Sequence, residues 1–352
     1  MASHRSIRNP TFEIGLITAL PLEARAIIGL LDELYIGKDT VAYAPDPADL
    51  NAYTAGRIGR HDVILMHMPR MGITSGAAVA MNALTGFPAL KLILLVGICG
   101  GMPLASDETE IVLGDVIISR NIVQTNFGRQ FPDGFVIKSD VESTFRGPSH
   151  SILSFLAKIE ACTDTCERRM SEHLASLLEL PEFGNSQYPG PIKDRLFPAD
   201  YIHRHHNAQD CECARGDGAC VAARTASCEE LGCQSDLLIP RQRLQCQSGQ
   251  SPVIHLGAFS SSDAVIKSGW HRDQIARAAN VIAFEMEGAG IWNFLPTVIV
   301  KGVCDYADSH KNKAWQRYAA ATAAACAKTL VELWNPSCHG ISKLVLFHDN
   351  SF

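Results

Sequence analysis

The chain has 352 residues, of which 47% are hydrophobic and 19% charged, and its formal net charge is −6 at pH 7. This balance is typical of a folded protein with a large core, and it excludes a disordered or fibrous chain. The negative charge argues against nucleic acid as a partner, because nucleic-acid-binding proteins usually present a basic face. The sequence shows no apolar run near the roughly 20 residues that span a bilayer, and no signal-peptide pattern. We therefore expect a soluble, cytoplasmic protein without a membrane or nucleic-acid partner.

The first 120 residues alternate apolar runs with turns marked by glycine or proline. An apolar run at 12–20 predicts a buried strand, and Pro21 suits the first turn of the helix that follows. Further along the chain the pattern predicts a hairpin of 52–57 with 61–68 around Gly59, an alanine-rich helix in GITSGAAVAMNALTGF, a buried strand in KLILLVGICGG and another strand at 111–118. Strands that alternate with helices indicate a layered α/β domain.

The pattern weakens after residue 140 and recovers after residue 250. A helical stretch at 150–180 is followed by polar, proline-, histidine- and cysteine-containing sequence, which suggests an insertion at about 185–250. Regular segments then return, namely PVIHLGAFSSSDAVI, VIAFEMEGAGIWNF, TVIVKGVCDYA and a helix at about 313–334. We predict one domain over 1–335, with this insertion and a C-terminal tail at 336–352. The fold class is α/β, with a central twisted mixed sheet between two helical layers.

Acidic residues follow several of the predicted strands. They are Glu23, Asp263, Glu285, Glu287, Asp305 and Asp308. Ligands of open α/β sheets bind at strand ends. Any single carboxylate there is more often a helix cap or a solvated charge, and Glu287 opens a helix, where capping competes with function. Several carboxylates in apolar sequence need partners, however, because burying a lone charge is costly.

The run GICGG at 97–101 ends a buried strand in glycines, which permit close backbone approach to a ligand. The run is not G-x-G-x-x-G, and no acidic residue follows at the dinucleotide spacing. It also lacks the Lys-Ser/Thr pair of a P-loop. We therefore expect neither a nicotinamide cofactor nor triphosphate hydrolysis, and no cofactor of another kind.

Six segments together resemble the nucleoside phosphorylase and nucleosidase superfamily. They are IGLITALPLEARAI, GITSGAAVAMNAL, LVGICGG, SSSDAVI, FEMEGAGI and CDYAD. Their order and spacing are similar to those of methylthioadenosine/adenosylhomocysteine nucleosidases, and FEMEGAG with CDYADSHKNKAWQ is closer still to related fungal proteins. The resemblance covers roughly 12–125 and 250–334. It implies the nucleoside phosphorylase fold and a homodimer or larger homo-oligomer.

The resemblance also implies a reaction, the cleavage of an N-glycosidic bond through a transition state like an oxocarbenium ion. A purine leaves poorly as an anion, so an acid must protonate its N7. Asp305 matches the family's acid, and it must therefore carry or share a proton. Glu23 matches the glutamate that activates water, and Glu287 matches the glutamate that binds the ribose hydroxyls.

Further residues match substrate-binding positions of the family. Phe284 stands where an apolar side chain packs on the base, and Val265 and Ile266 match the segment that addresses the purine edge. The positions around the sugar and its 5′ end are matched by Met286, Ile73 and Trp315. His310 and Lys311 are candidates to bind a 5′-hydroxyl. We expect adenosine-type purine nucleosides first, with inosine and guanosine as further candidates.

The choice between hydrolysis and phosphorolysis depends on two positions. Phosphorylases of the superfamily bind phosphate with an arginine and with a serine or threonine, where this chain has Leu95 and Ile98. A carboxylate at Glu23 would repel phosphate, and Lys301 is placed to orient the water or Glu23. Ile98 also replaces the serine that nucleosidases carry near the water. Hydrolysis with water as co-substrate is therefore favoured, and the alternatives are a phosphorylase or a nucleoside-sensing domain.

The insertion contains a cluster of histidines and cysteines between 203 and 246. Their spacing suits structural zinc, but it is not a repeated C-x-x-C pair, so disulfides and free thiols stay open as alternatives. The predicted chemistry needs no catalytic metal. We hypothesise that the insertion covers the site or a subunit interface.

Overall fold

The computed structural model describes residues 11–36, 49–105, 107–138, 147–208, 211–215 and 218–335. Within these ranges nine strands form one mixed sheet and two more form a hairpin. The strands are β1 Ile14–Thr18, β2 Glu33–Leu34, β3 Ala52–Ile58, β4 His61–His67, β5 Leu92–Gly101, β6 Val116–Gln124, β7 Gly128–Phe131, β8 Gly134–Ile137, β9 Ile254–Ser261, β10 Ala283–Glu285 and β11 Thr297–Asp305. The hairpin is β7 with β8.

The large sheet has the order β10-β9-β6-β11-β5-β1-β4-β3-β2. Its centre, β11-β5-β1-β4, is parallel, whereas β6 runs antiparallel to β11 and β3 runs antiparallel to β4. The predicted mixed sheet is therefore confirmed. Because the carboxyl ends of β1, β5 and β11 meet at one edge, the residues that follow or end these strands come together there.

Helices cover the sheet. They are α1 Pro21–Gly29, α2 Ile73–Gly86, α3 His150–Ala161, α4 Thr163–Leu178, α5 Glu212–Arg215, α6 Cys228–Leu231, α7 Gly269–Ala279, α8 Gly288–Ile291 and α9 Gln316–Leu333. The alanine-rich α9 packs on β11 and β5, with α1 and α4 against it, and α2 packs against α8. Every residue of β1 and β11 is buried, as expected for strands covered on both faces.

Close packing of α9 on the sheet depends on small residues at the contact. A Cβ atom on Gly302 of β11 would lie 1.9 Å from the carbonyl oxygen of Ala319 in α9. Glycine at this point of the strand therefore lets the helix approach the sheet that carries Asp305 at its end.

Most of the predicted elements are confirmed, with two differences. The strand predicted at 111–118 begins only at Val116, because Gly114 has φ +96° and the backbone N–H of Val112 donates to Asp115 Oδ2 over 3.0 Å in a turn. The helical stretch predicted at 150–180 is two helices, since α3 ends at Ala161 and α4 begins at Thr163.

The described part of the insertion contains short helices and turns rather than strands. Its polar side chains attach it to the turn before β6: Arg243 forms two hydrogen bonds to Asp115, of 2.5 and 2.7 Å, and Asp194 accepts from the backbone N–H of Leu113 at 2.8 Å. The predicted tail at 336–352 lies outside the described residues. No helix in the described ranges is both long enough and apolar enough to cross a membrane.

Candidate active site

A cavity lies at the carboxyl-terminal edge of the central strands. Four residues predicted to bind substrate line it: Val265, Ile266, Phe284 and Met286. Its volume is about 50 Å³, smaller than the roughly 300–1,000 Å³ of most ligand pockets.

Glu23 is held at this edge by backbone hydrogen bonds from two segments of the chain. Its Oε2 accepts from the N–H groups of Ala19 and Leu20 at 3.0 and 2.8 Å, and its Oε1 accepts from the N–H of Ile98 at 2.9 Å. As the third residue of α1, it reaches back to the start of its own helix, as glutamates at this position do. Only 2% of Glu23 is exposed.

Glycine at position 97 makes room for the Glu23 carboxylate. A Cβ atom there would lie 2.2 Å from Oε1 of Glu23, far inside van der Waals contact. The glycine run predicted to approach a ligand therefore approaches a carboxylate of the chain itself. Gly100, in the same run, similarly leaves space for Asp305 Oδ1 and the Ala307 Cβ atom, each 3.0 Å from the position of a Cβ.

Three glutamates share one buried cation. Lys301 is 1% exposed, and its Nζ lies 3.0 Å from Oε2 of Glu287. Burial opposes the charge on Lys301, but Glu287, Glu23 and Glu285 outweigh that effect and raise the pKa of Lys301. Burial raises the pKa of Glu23, with Lys301 opposing and Glu287 adding to the rise.

Glu285 fixes the start of α8, where Glu287 lies. Its carboxylate accepts from the N–H of Glu287 at 3.0 Å and from the N–H of Gly288 at 2.9 Å. Burial, followed by the charge of Glu287, raises the pKa of Glu285 to about 7. Glu285 lines the cavity, whereas Glu287 is adjacent in the chain to the lining residue Met286.

Asp305 ends β11 and is held by its own loop. Its Oδ1 accepts from the N–H of Ala307 at 2.9 Å, and its Oδ2 lies 3.0 Å from Nζ of Lys311. Ala307 has φ +51°, a left-handed conformation that non-glycine residues rarely adopt. Both Ala307 and Lys311 line the cavity. Lys311 thus places a cation at the cavity wall, in contact with Asp305.

A second buried aspartate lies in the same loop. Asp308 accepts from the N–H of His310 through Oδ1 at 2.9 Å, while its Oδ2 finds no hydrogen-bond partner among the described residues. Burial raises the pKa of Asp308 to about 6; Arg272 opposes the rise and Asp305 adds to it.

Six predicted site residues do not line the cavity: Glu23, Glu287 and Asp305, described above, and Ile73, Ile98 and Trp315. Ile73 begins α2, and its N–H donates to Asp263 Oδ1 at 2.8 Å. Ile98 is half-buried and contacts Glu23 through its backbone. Trp315 is buried, with its indole N–H donating to the carbonyl of Lys193 in the insertion at 2.9 Å. Their roles in substrate binding stay predictions, as do those of the four residues that line the cavity.

The sequence does not predict two of these contacts. It offers Lys311 as a candidate for a 5′-hydroxyl, whereas Lys311 contacts Asp305, and it gives Glu285 only a position after a strand, whereas Glu285 binds the N–H groups of Glu287 and Gly288. The position of Lys311, six residues after Asp305, is a signal for the first contact. His310 does not line the cavity, and its ring is stacked 4.0 Å from that of Phe197 in the insertion.

The insertion contacts the loop that carries Asp305 and Lys311. The hydroxyl of Tyr306 donates to Asp194 at 2.8 Å, and the N–H of His203 donates to Ser309 Oγ at 3.1 Å. Among the described residues, two groups of histidine and cysteine side chains could hold a metal ion. One lies wholly in the insertion, and the other joins three insertion residues to His310. Neither group lines the cavity.

Comparison with known sequences gives a family and a relative. The sequence pattern of the Phosphorylase superfamily matches residues 13–332. A nucleotide-binding leucine-rich repeat (NLR)-like protein from Hyaloscypha variabilis is 30% identical, over 97% of this chain and 32% of that protein. The chain therefore spans about a third of the length of this relative.

Solved structures share the fold. Futalosine hydrolase of Helicobacter pylori superposes with a TM-score of 0.52 at 14% identity, covering 92% of this chain and 99% of that one. The 5′-methylthioadenosine/S-adenosylhomocysteine nucleosidase of Neisseria meningitidis, in complex with methylthio-immucillin-A, superposes with a TM-score of 0.53 at 13% identity, covering 91% and 99%. The expected three-layer arrangement around a mixed sheet is thus the fold of known nucleosidases.

Proposed function

Because the chain belongs to the phosphorylase superfamily, we propose that it hydrolyses the N-glycosidic bond of purine nucleosides to free base and ribose. Adenosine is the first substrate in this proposal, with inosine and guanosine as further candidates. Water is the co-substrate and no cofactor takes part. The proposal includes a cytoplasmic location and a homodimer or larger homo-oligomer, as the family resemblance implies.

The placement of Glu23 is the observation that favours hydrolysis over phosphorolysis. Its carboxylate already accepts the N–H groups of Ala19, Leu20 and Ile98, which would otherwise be free to bind an oxyanion. A second anion beside this buried carboxylate is repelled. The apolar side chains of Leu95 and Ile98 offer phosphate no compensating charge. Water, which is neutral, can therefore bind beside Glu23 as the nucleophile more favourably than phosphate.

Glu23 also has the electrostatics of a general base. Burial raises its pKa above that of an ordinary glutamate, which makes its ionised carboxylate a stronger proton acceptor. In the proposed step, the water oxygen bonds to the anomeric carbon while its proton passes to Glu23. The glycosidic bond breaks, and its electron pair leaves with the purine.

The proposed acid is Asp305. The negative charge that develops on the purine is neutralised when N7 takes a proton that Asp305 has gained from solvent. For this step the substrate must displace the ammonium of Lys311, which lies 3.0 Å from Oδ2 in the free protein. Glu287, in the proposal, binds the ribose hydroxyls while Lys301 holds its carboxylate in place. Met286 and Phe284 then contact the sugar and the base from the cavity wall.

The test is incubation of the purified chain with adenosine, inosine, guanosine, uridine and methylthioadenosine, each with and without phosphate. We expect free ribose from the purine nucleosides in the absence of phosphate, and no release by Glu23→Gln. Ribose 1-phosphate that forms only with phosphate would instead establish a phosphorylase.

A nucleoside-sensing module is the second candidate, and one observation favours it. The chain matches about a third of the NLR-like protein from Hyaloscypha variabilis, so the same kind of domain occurs within a longer protein. A sensor needs binding without turnover. Saturable binding of adenosine, measured by calorimetry, with no sugar released under either condition, would select this candidate over both enzymes.

A further inference from the structure

Eight histidine and cysteine side chains form two compact clusters outside the cavity. Cluster 1 consists of His203, Cys228, Cys233 and His310, all buried, and cluster 2 consists of His205, Cys211, Cys213 and Cys220. Within each cluster, the four nitrogen and sulfur atoms all lie within 4.8 Å of one another. His203 and His205 are two residues apart in the chain, and each belongs to a different cluster.

The spacing within cluster 1 matches a tetrahedral metal site. In a tetrahedral site, zinc bonds of about 2.3 Å to sulfur and about 2.0 Å to nitrogen place two nitrogens about 3.3 Å apart, and a nitrogen and a sulfur about 3.5 Å apart. The Nδ1 atoms of His203 and His310 are 3.3 Å apart, and Cys228 Sγ lies 3.6 Å from each of them. Cys233 Sγ is also 3.6 Å from His203 Nδ1.

The histidine orientations in cluster 1 present both Nδ1 atoms to its centre, as ligands of a metal ion would be. Nε2 of His203 is 2.9 Å from the carbonyl oxygen of Ala226, and Nε2 of His310 is 3.0 Å from that of Tyr201. A carbonyl only accepts hydrogen bonds, so each Nε2 carries the proton and each neutral ring presents an Nδ1 lone pair. Two lone pairs then face each other at 3.3 Å. Metal-bound histidines are held by such backbone acceptors.

Cluster 2 also has spacings close to those of a tetrahedral metal site, with three sulfur ligands instead of two. Cys211 Sγ lies 3.4 Å from Cys213 Sγ and 3.8 Å from Cys220 Sγ, against about 3.8 Å for two sulfurs on one zinc ion. Nδ1 of His205 lies 3.2 Å from Cys213 Sγ and 3.4 Å from Cys211 Sγ. No disulfide joins the cysteines that the structure describes.

We propose that each cluster binds one structural zinc ion, as a Cys₂His₂ site in cluster 1 and a Cys₃His site in cluster 2. Mixed nitrogen and sulfur ligands in closed tetrahedra are characteristic of structural zinc. Each cysteine binds as the thiolate and releases its proton to solvent. Two thiolates neutralise the first ion, and three leave the second site with one negative charge.

The two ions have different mechanical roles. Cluster 2 closes a short stretch of the insertion, between 205 and 220. Cluster 1 joins three residues of the insertion to His310, which lies 107 residues beyond His203 and directly before Lys311. The first zinc ion therefore anchors the loop from Asp305 to Lys311 to the insertion. Any consequence for catalysis rests on the proposed function, whereas zinc binding does not.

The primary test is the metal content of the full chain, purified under reducing conditions in zinc-containing medium and measured by mass spectrometry for several elements. We expect two zinc ions per chain, one for each cluster. Cys233→Ser and Cys213→Ser should each halve this content. Cys246→Ser is the matched control and should keep both ions, because Cys246 is exposed and belongs to neither cluster.

A second measurement separates the clusters without using activity. Hydrogen exchange of the backbone amides at 306–311 should be faster in Cys233→Ser than in the parent chain, because cluster 1 contains His310. It should be unchanged in Cys213→Ser, which alters only cluster 2. If either variant fails to fold, replacement of zinc by Co²⁺ in the parent chain decides the matter, since tetrahedral thiolate ligation gives intense visible absorption. A folded parent chain with less than one zinc ion, another metal in its place, or disulfides between these cysteines would overturn the proposal.

Discussion

The ammonium group of Lys311 lies 3.0 Å from Oδ2 of Asp305, at the wall of the cavity. The other carboxylate oxygen of Asp305 accepts the N–H of Ala307 at 2.9 Å. The aspartate proposed as the acid is therefore oriented at both oxygens. Both oxygens accept hydrogen bonds in the free protein. Asp305 must therefore take up a proton from solvent, with loss of the Lys311 contact, before it can act as the acid.

Asp305→Asn should reduce purine nucleoside hydrolysis by a factor of about 10²–10⁴, the usual contribution of a positioned acid. The amide keeps the shape of the side chain but has no proton to give at neutral pH. Initial rates of ribose release measure the loss, and thermal unfolding shows that the fold is kept. Asp133→Asn, at an exposed position in the turn between β7 and β8, is the matched control. Near-parental rates in Asp305→Asn would remove Asp305 from the mechanism.

Gly97→Ala should abolish hydrolysis while the chain still folds. The new Cβ would lie 2.2 Å from Glu23 Oε1, so the carboxylate must move away from the N–H of Ile98. Gly184→Ala is the control, because a Cβ at position 184 meets nothing within 4 Å. Rates and melting temperatures of both variants are compared with those of the parent chain. Full activity in Gly97→Ala would show that the observed position of Glu23 is dispensable.

The separate site carboxylates could be predicted from sequence, but their partners could not. Glu23 and Asp305 each follow or end an apolar strand, and parallel strands bring such positions to one edge. The contact of Lys301 with Glu287 depends on how β11 lies relative to the start of α8, which no local pattern specifies. The position of His310 in a cluster with insertion residues depends on a contact across 107 positions. Periodicity in the sequence cannot report such a contact.

Lys301→Met should destabilise the chain by about 3–5 kcal/mol at pH 7.5, because it leaves buried carboxylates without their cation. Adding Glu287→Gln to this variant should recover part of the loss, since the amide carries no charge. Urea unfolding of the parent, both single variants and the double variant gives the coupling between the two positions. Strictly additive losses would show that the 3.0 Å contact contributes no coupling.

Glu287→Gln alone should keep the fold, raise KM and lower kcat for adenosine. The amide can no longer accept hydrogen bonds from ribose hydroxyls through two anionic oxygens, so binding and the transition state both lose stabilisation. Steady-state kinetics measure the two parameters, with Glu160→Gln, on the exposed face of α3, as the control. Unchanged kinetics would remove the ribose role.

The stability of the folded chain should fall as the pH rises from about 5 to 8, in part because of Glu285. Burial and the neighbouring charge of Glu287 raise the pKa of Glu285 from 4.5 to about 7. Between these values the folded chain binds a proton that the unfolded chain has lost. Stability therefore decreases with pH through this range and becomes level above the folded value.

Glu285→Gln isolates this contribution because the amide is neutral at every pH. At pH 5 the variant and the parent chain should have similar free energies of unfolding, since Glu285 is then protonated in the folded state. At pH 8 the parent carries a buried negative charge that the variant lacks, so the variant should be more stable by about 3 kcal/mol, from about 1.4 kcal/mol per unit of pKa. Urea unfolding at both pH values measures the difference between the chains, and groups common to both cancel. The opposite result would be a stability of Glu285→Gln, relative to the parent chain, that falls between pH 5 and pH 8. It would mean that the ionised form of Glu285 stabilises the fold through its hydrogen bonds to Glu287 and Gly288.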